Sequence, residues 1–228
     1  MKKKVKRRFN FLRFITFIIT LFILYIFISF LLSIKTKNIV ILNNNYYNDE
    51  VIIEKAGIQD YPKFLLLNSN KVKKKIESLD LVSSVTVKKK LNFILEITVN
   101  EKKILYYNKS NNYYKLSDGS TYKSNDIYGV PTLINYIPED IEAKFIKKFS
   151  KVDSNIISLI SEIEYSKTEF DSERFLLYMS DENLVYITVS KTELLNKYID
   201  IVKTLEGKKG ILYLDSGNYF EIKEKWYV

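Results

Sequence analysis

The chain has 228 residues, with 36 Lys or Arg, 27 Asp or Glu and neither Cys nor His, so its formal net charge is +9. The lack of Cys and His excludes disulfides, thiol nucleophiles, Cys/His zinc sites and histidine bases. The positive charge is concentrated at the N-terminus, because residues 1–13 hold seven bases and no acid, whereas residues 35–228 hold 29 bases and 27 acids. Residues 35–228 are so nearly neutral that they offer no excess of positive charge to bind a polyanion, and we expect no nucleic-acid partner.

Residues 14–34 form an uncharged apolar run, FITFIITLFILYIFISFLLSI. A helix of this length reaches roughly 30 Å, the thickness of the hydrocarbon core of a bilayer. A cleaved signal peptide is the alternative, but its apolar region has only about 7–15 residues, and residues 32–36 offer no small-x-small cleavage site. The run predicts a retained transmembrane helix with the lipid bilayer as a partner. Because bases beside a span stay in the cytoplasm, we expect residues 35–228 to be extracytoplasmic.

The chain after the span alternates short strands and helices. Residues 38–42 predict a strand, and Asn48 predicts the N-cap of a helix that ends at Gly57. A second helix is predicted by apolar residues at helical spacing, Val72, Ile76 and Leu79. Apolar residues at every second position then predict strands over 85–89 and 93–99. The order strand, helix, helix, strand, strand indicates a small α+β domain.

This layout resembles the FtsQ/DivIB bacterial cell-division proteins, which have a basic tail, one span, a POTRA domain and a C-terminal β domain. The residues that carry the resemblance are Asn38–Leu42 with Asn44, Ala56–Ile58, Lys63–Asn68, Leu81–Val87 and Leu95–Lys102. The chain departs from the family at Lys102, where Arg is frequent, and at Lys103–Ile104, where a proline is common. The resemblance implies an α+β fold with a tail at 1–13, a span at 14–34, a POTRA domain at 35–103 and a mixed-β domain with flanking helices at 104–228.

The second domain is expected to combine hairpins with helices. A hairpin is predicted within residues 104–116, and apolar residues at helical spacing from Glu139 to Ile163 predict one helix or two. Ser190–Glu193 has the form of a capping box before a helix that Gly207 closes. Further strands are predicted over 175–179, 184–189, 211–214 and 219–223.

Catalysis without His or Cys would rest on Ser/Lys, Asp/Glu or Tyr. Ser180 is a candidate nucleophile for the main alternative, a membrane-anchored extracytoplasmic Ser/Lys hydrolase, but the residues after it are typical of a hairpin turn. The acidic pairs Asp49/Glu50 and Asp181/Glu182 could act as general acid and base, but each has a simpler role, in the first turn of a helix and in a turn respectively. No glycine spacing forms a phosphate loop. We therefore expect no enzyme, cofactor or metal site.

Two clusters of lysines stand out in the first external domain, Lys71, Lys73, Lys74 and Lys75, and Lys88, Lys89 and Lys90. The first cluster fits the solvent-exposed face of a helix, and the second cluster fits the end of a strand. A ligand for either cluster would be an anionic cell-wall polymer or a lipid headgroup.

The resemblance implies a partner site at the C-terminal end of the chain. In the family, the last strands accept an extended segment of FtsB (DivIC in some bacteria), which acts with FtsL at the division septum. Strand addition at the edge strand 219–222 would use the residues Leu214, Ser216, Gly217, Tyr219, Phe220, Glu221 and Ile222. An ordinary hairpin tip explains Ser216 and Gly217 equally well. A POTRA module that escorts unfolded chains to an outer-membrane barrel is a further alternative, and the exact partner and weak self-association stay open.

Overall fold

The computed structural model describes residues 10–126 and 128–222. The chain divides into two compact units, Met1–Glu101 and Lys102–Val228. Six bases of the predicted tail lie outside the described residues, namely Lys2, Lys3, Lys4, Lys6, Arg7 and Arg8, and so does Lys223 of the last predicted strand. The predicted α+β class is confirmed by the elements described below.

The first unit begins with an isolated apolar helix, α1 (Phe11–Ser33). Its mean hydropathy reaches 2.8, and within the described residues it is the helix long and apolar enough to cross a membrane. It starts three residues before the predicted span because the Asn10 side chain accepts a hydrogen bond from the N–H of Arg13. The hydroxyls of Thr16, Thr20 and Ser33 donate to carbonyls of the same helix, at 2.9, 2.8 and 2.7 Å. These bonds keep the polar side chains compatible with a hydrocarbon environment.

A three-stranded sheet with two helices follows α1. The elements are β1 (Asn38–Leu42), α2 (Asp49–Ala56), α3 (Ser69–Ile76), β2 (Val82–Lys90) and β3 (Ile94–Glu101). The strand order is β1-β3-β2, with β1 parallel and β2 antiparallel to β3. The core is built by apolar residues of both helices and all three strands, including Ile52, Ile76, Leu95 and Ile97. The predicted caps are present, since Asn48 accepts from the N–H of Val51 and Gly57 has a left-handed φ of 69°.

The second unit is a nine-stranded mixed sheet with helices. Its strands are β4 (Ile104–Asn108), β5 (Tyr113–Leu116), β6 (Thr121–Tyr122), β7 (Thr132–Leu133), β8 (Ile160–Tyr165), β9 (Arg174–Met179), β10 (Leu184–Thr188), β11 (Gly210–Tyr213) and β12 (Tyr219–Ile222). Their spatial order is β12-β11-β10-β9-β8-β7-β4-β5-β6. The helices are α4 (Glu139–Phe149), α5 (Ser154–Ile157) and α6 (Tyr198–Thr204). Phe145 is fully buried and stacks on Phe149 and Phe175, with ring centroids 4.8 and 4.2 Å apart.

Two predictions for this unit are wrong. The stretch 139–163 contains α4 and α5, but its last residues belong to β8. Ile160 and Ile163, which fit the helical spacing, lie on that buried strand. The predicted capping box at Ser190–Glu193 lies in a 3₁₀ segment, Val189–Lys197, that has no side-chain cap. Glu193 instead forms ion pairs with Lys148 and Lys151, at 3.6 and 3.0 Å.

Candidate partner-binding edge

The last described strand, β12, lies at the end of the nine-stranded sheet. It pairs with β11 in antiparallel register, and among residues 10–126 and 128–222 no strand lies on its other side. An end strand carries backbone N–H and C=O groups that a further strand can pair with. The predicted partner residues Tyr219, Phe220, Glu221 and Ile222 therefore form one edge of the sheet.

The orientation of β11 can be read from its pairing with β10. The N–H of Leu214 donates to the carbonyl of Tyr186 at 2.8 Å, and the two strands are parallel with Tyr186 opposite Tyr213. The backbone N–H and C=O groups of successive residues alternate in direction along a strand. Those of Leu212 and Leu214 therefore point toward β10, and those of Tyr213 point toward β12. The N–H of Gly210 fits this alternation, since it donates to the side-chain oxygen of Asn183 just before β10.

The same alternation identifies the outward groups of β12. Tyr213 and Tyr219 are opposite each other, so they form a hydrogen-bonded pair, and Glu221 likewise points toward β11. The N–H and C=O groups of Phe220 and Ile222 consequently point away from the sheet. These four groups are the open hydrogen-bonding positions of the edge.

The two faces of the edge differ in chemistry. On the inner face, Phe220 is partly buried and packs against the core of the unit. On the outer face, three tyrosines in cross-strand register form a stack, Tyr186, Tyr213 and Tyr219. Their ring centroids are 5.4 and 4.6 Å apart, with interplanar angles of 24° and 15°. Tyr219 is 51% exposed and ends the stack at the edge.

An ion pair anchors the opposite end of this tyrosine stack. The guanidinium of Arg174 lies 3.6 Å from the ring centroid of Tyr186, and its Nε donates to Oδ2 of Asp215 at 2.6 Å. Burial alone would raise the pKa of Asp215, but hydrogen bonds from Arg174 and Ser216 and the charge of Arg174 lower it below its usual value. Burial and a 2.9 Å hydrogen bond to Glu221 raise the pKa of Tyr213 to about 12.

The turn between β11 and β12 is stabilised by hydrogen bonds to Asp215. Asp215 accepts from the N–H and the hydroxyl of Ser216, at 2.8 and 3.1 Å, and its carbonyl accepts from Nζ of Lys191 at 2.7 Å. Leu214 is only 2% exposed and belongs to the core. Of the predicted partner residues, Leu214 therefore supports the turn from inside, whereas Ser216 and Gly217 lie at its tip.

The alternative catalytic residues lie in ordinary structural settings. Ser180 begins a hairpin turn closed by the N–H of Met179 on the carbonyl of Asn183, at 2.9 Å. The Tyr198 hydroxyl donates to the carboxylate of Asp181, whose two oxygens lie 2.8 and 2.9 Å away, and Asp49 and Glu50 lie in the first turn of α2. Among the described residues, no group of three acidic side chains could hold a metal ion.

Sequence reasoning missed the tyrosine stack and its arginine. A signal was present, since Tyr186, Tyr213 and Tyr219 all lie in predicted strands. The register that aligns them depends on strands that are distant in the sequence, and no local pattern gives it.

Comparisons with known proteins agree with this architecture. Residues 34–102 match the family model described as "POTRA domain, FtsQ-type". The chain is 27% identical to the cell division protein DivIB of Bacillus subtilis over 230 residues, which covers 97% of this chain and 87% of the relative. It is 26% identical to DivIB of Brevibacillus brevis, over 96% and 87% of the two chains. With DivIB of Listeria monocytogenes the identity is 24%, over 96% and 85%.

A solved structure of the major extracytoplasmic domain of DivIB from Geobacillus stearothermophilus also matches, with a TM-score of 0.39 and 21% identity over 47% of this chain and 96% of that one. The chain therefore has an FtsQ-type POTRA domain and is similar to DivIB over almost its whole length, which confirms its resemblance to the FtsQ/DivIB bacterial cell-division proteins.

Proposed function

We propose that this chain is a non-enzymatic, single-span component of the bacterial division machinery that holds other division membrane proteins at the septum. Its tail at 1–13 would lie in the cytoplasm, its span at 14–34 in the membrane, and its POTRA domain at 35–103 and β domain at 104–228 outside. The similarity to DivIB over nearly the full length supports the cell-division role. The apolar helix α1 supports the anchor.

The proposed mechanism is the addition of a partner strand to β12. The single observation that carries it is the outward direction of the backbone groups of Phe220 and Ile222 at the end of the sheet. The partner would be an extended segment of a protein of the FtsB/DivIC type, acting with one of the FtsL type. A strand that pairs with these groups would become the tenth strand of the sheet.

The tyrosine stack gives this edge a side-chain preference. Tyr219 has one ring face on Tyr213, 4.6 Å away, and is 51% exposed. A planar side chain on the added strand, aromatic or arginine, would continue the stack at this position. Such contacts contribute about 0.5–1.5 kcal/mol, so a Tyr219→Ala variant should bind about two- to tenfold more weakly.

Proline substitutions at the outward positions test strand addition. Phe220→Pro and Ile222→Pro each remove an outward N–H, and neither removes a hydrogen bond to β11. The matched controls Phe220→Ala and Ile222→Ala lose the same side chains but keep the N–H. Binding of the extracytoplasmic segment of the DivIC-type protein from the same bacterium, measured by fluorescence anisotropy, should fall about tenfold more for each proline than for its alanine. Equal binding by the proline and alanine variants would refute the mechanism.

A further inference from the structure

The chain leaving α1 is held between two loops of the first unit. The N–H and hydroxyl of Thr36 both donate to the carbonyl of Pro62, at 2.9 and 2.8 Å. The N–H of Phe64 donates to the carbonyl of Ile34, and the N–H of Lys37 donates to the carbonyl of Phe93, both at 2.9 Å. Residues 34–37 are thus fixed to the loop before α3 and to the connection between β2 and β3.

These bonds determine how far the two loops lie from the membrane. An extended chain rises at most about 3.6 Å per residue, so Lys37 lies no more than about 11 Å beyond the end of the uncharged run at Ile34. The headgroup layer on each side of the hydrocarbon core is about 5–8 Å thick. Both loops therefore lie within reach of the headgroups if α1 spans the bilayer.

The tips of these loops expose apolar side chains. Leu91 is 89% exposed at the tip of the β2–β3 connection, and Leu66 is 60% exposed in the other loop, beside the exposed Leu65. The two tips are joined underneath, where the rings of Phe64 and Phe93 meet edge to face at 5.6 Å. Large apolar side chains that are exposed together at one end of a domain mark a surface that contacts a membrane or another protein.

Lysines surround this apolar end. The exposed ones are Lys35, Lys37, Lys63, Lys88, Lys89 and Lys90, against two acidic residues nearby, Asp60 and Glu96. Nζ of Lys90 pairs with Glu96 at 3.2 Å, and Nζ of Lys89 donates to the carbonyl of Leu65 at 3.2 Å, which ties the two loops together. Protruding leucines ringed by lysines are the composition of a surface that lies on anionic lipid.

We propose that this end of the POTRA unit docks on the outer leaflet of the membrane that α1 spans. Leu65, Leu66 and Leu91 would enter the interface between headgroups and acyl chains, and the surrounding lysines would contact anionic headgroups. The docked surface is continuous with the span, which makes lipid the occupant that is always present. The inference rests on α1 being a span and is independent of the partner edge at β12. Docking would set the orientation of the unit relative to the bilayer.

The absence of cysteine allows single spin labels to test the docking. Leu91→Cys and Leu66→Cys place nitroxides at the apolar tips. Glu50→Cys is the control, since Leu91 and Phe93 lie just before the start of β3, whereas the loop that leads into α2 is bonded to Glu101 at the other end of β3. The full chain is reconstituted in nanodiscs of phosphatidylcholine, with and without phosphatidylglycerol, and label accessibility to oxygen and to a water-soluble nickel chelate is measured by power saturation.

We expect the labels at 91 and 66 to be more accessible to oxygen and less accessible to nickel than the label at 50, with a larger contrast in phosphatidylglycerol. Adding Lys63→Glu and Lys88→Glu should reduce the docked fraction about tenfold in the anionic discs, because each nearby lysine strengthens binding severalfold. Equal nickel accessibility at 91, 66 and 50 in both lipids would overturn the inference. So would a chain that fails to co-elute with the discs, whereas binding at β12 is measured separately and would be unaffected.

Discussion

The ion pair between Arg174 and Asp215 connects the centre of the sheet to the turn of the candidate edge. Asp215 precedes the tip of the β11–β12 turn, and Arg174 starts β9, two strands away from β11 in the sheet. Their 2.6 Å contact is mostly shielded from water, with 16% of the Arg174 side chain and 9% of the Asp215 side chain exposed. We predict that Asp215→Asn loosens the turn and β12 while the rest of the sheet keeps its structure.

The expected size follows from the burial of the pair. Removing one partner of a fully buried pair costs about 3–5 kcal/mol, because an unpaired charge stays behind. Arg174 keeps part of its side chain in solvent and its contact with Tyr186, and asparagine keeps one hydrogen-bond acceptor. A hydrogen bond to a charged group contributes about 1.5–3 kcal/mol, so we expect a loss of about 2 kcal/mol in the local opening free energy.

Hydrogen–deuterium exchange of the full chain in nanodiscs measures this local opening. A loss of about 2 kcal/mol corresponds to about 30-fold faster exchange, confined to peptides that cover residues 210–222. Ser216→Ala is the matched control, because it removes the 3.1 Å hydroxyl contact to Asp215 and leaves the ion pair intact. Less than threefold acceleration in Asp215→Asn at neutral pH would refute the reasoning.

The pH dependence of the same opening gives an independent check. The folded-state pKa of Asp215 is lowered, so its contribution is complete above its unfolded-state pKa of about 3.9 and is lost as pH falls through the folded-state pKa. After correction for intrinsic rates, the wild-type turn should keep its protection down to about pH 4 and lose it below. Asp215→Asn should lack this loss.

Two further variants test the close packing of each unit. In Gly210→Ala, the added Cβ would collide with the carbonyl oxygen of Glu221, so β12 should separate from β11 at a cost of about 1–3 kcal/mol. Hydrogen–deuterium exchange should then be faster at residues 219–222, while the protection of β8 and β9 stays unchanged. The carboxylate of Glu101 accepts hydrogen bonds from the N–H groups of Asn45, Tyr46 and Tyr47, at 2.7, 2.8 and 3.1 Å. Glu101→Gln removes its charge, so thermal unfolding of the first unit should show that the free energy of unfolding falls by about 2 kcal/mol. Protection at 219–222 equal to wild type, or an unchanged unfolding temperature, would contradict these two expectations respectively.

Local patterns predict most of the first unit. The uncharged run gives α1, and the short polar side chain of Asn48 and the flexible backbone of Gly57 give the two ends of α2. The alternation in residues 93–99 gives β3, whose alternate residues are buried. These signals succeed because each depends on neighbours within a few residues.

The second unit shows where local patterns fail. Ile160 and Ile163 continue the helical spacing of α4, yet they lie in a strand in the interior of the sheet, where a register shift between Ile160 and Glu162 lets both side chains join the core. The candidate edge could be located near the C-terminus from sequence. Which of its backbone groups face outward depends on the parallel pairing of β11 with β10, a contact that no neighbouring residue specifies.

Three of the four sheet edges within residues 10–126 and 128–222, those at β2, β6 and β12, differ in how readily they accept another strand. β2 is an edge strand with nine residues, but it carries three consecutive lysines at its end and a register shift between Val82 and Ser84, both of which discourage pairing. β6, at the far end of the large sheet, has two residues. β12 has four residues, one charge and four outward backbone groups.

The shortness of β12 explains how an unpaired edge can avoid aggregation, because a strand of another molecule could form only a few hydrogen bonds with it. The same shortness makes an isolated contact weak, at about 0.5–1.5 kcal/mol for each hydrogen bond. A partner anchored in the same membrane would meet the edge at a high effective concentration, and a few backbone bonds with one stacked side chain would then be sufficient. If β12 accepts a partner strand as proposed, the span and the short edge would be two parts of one binding mechanism, since the anchor would supply the encounter and the strand would supply the register.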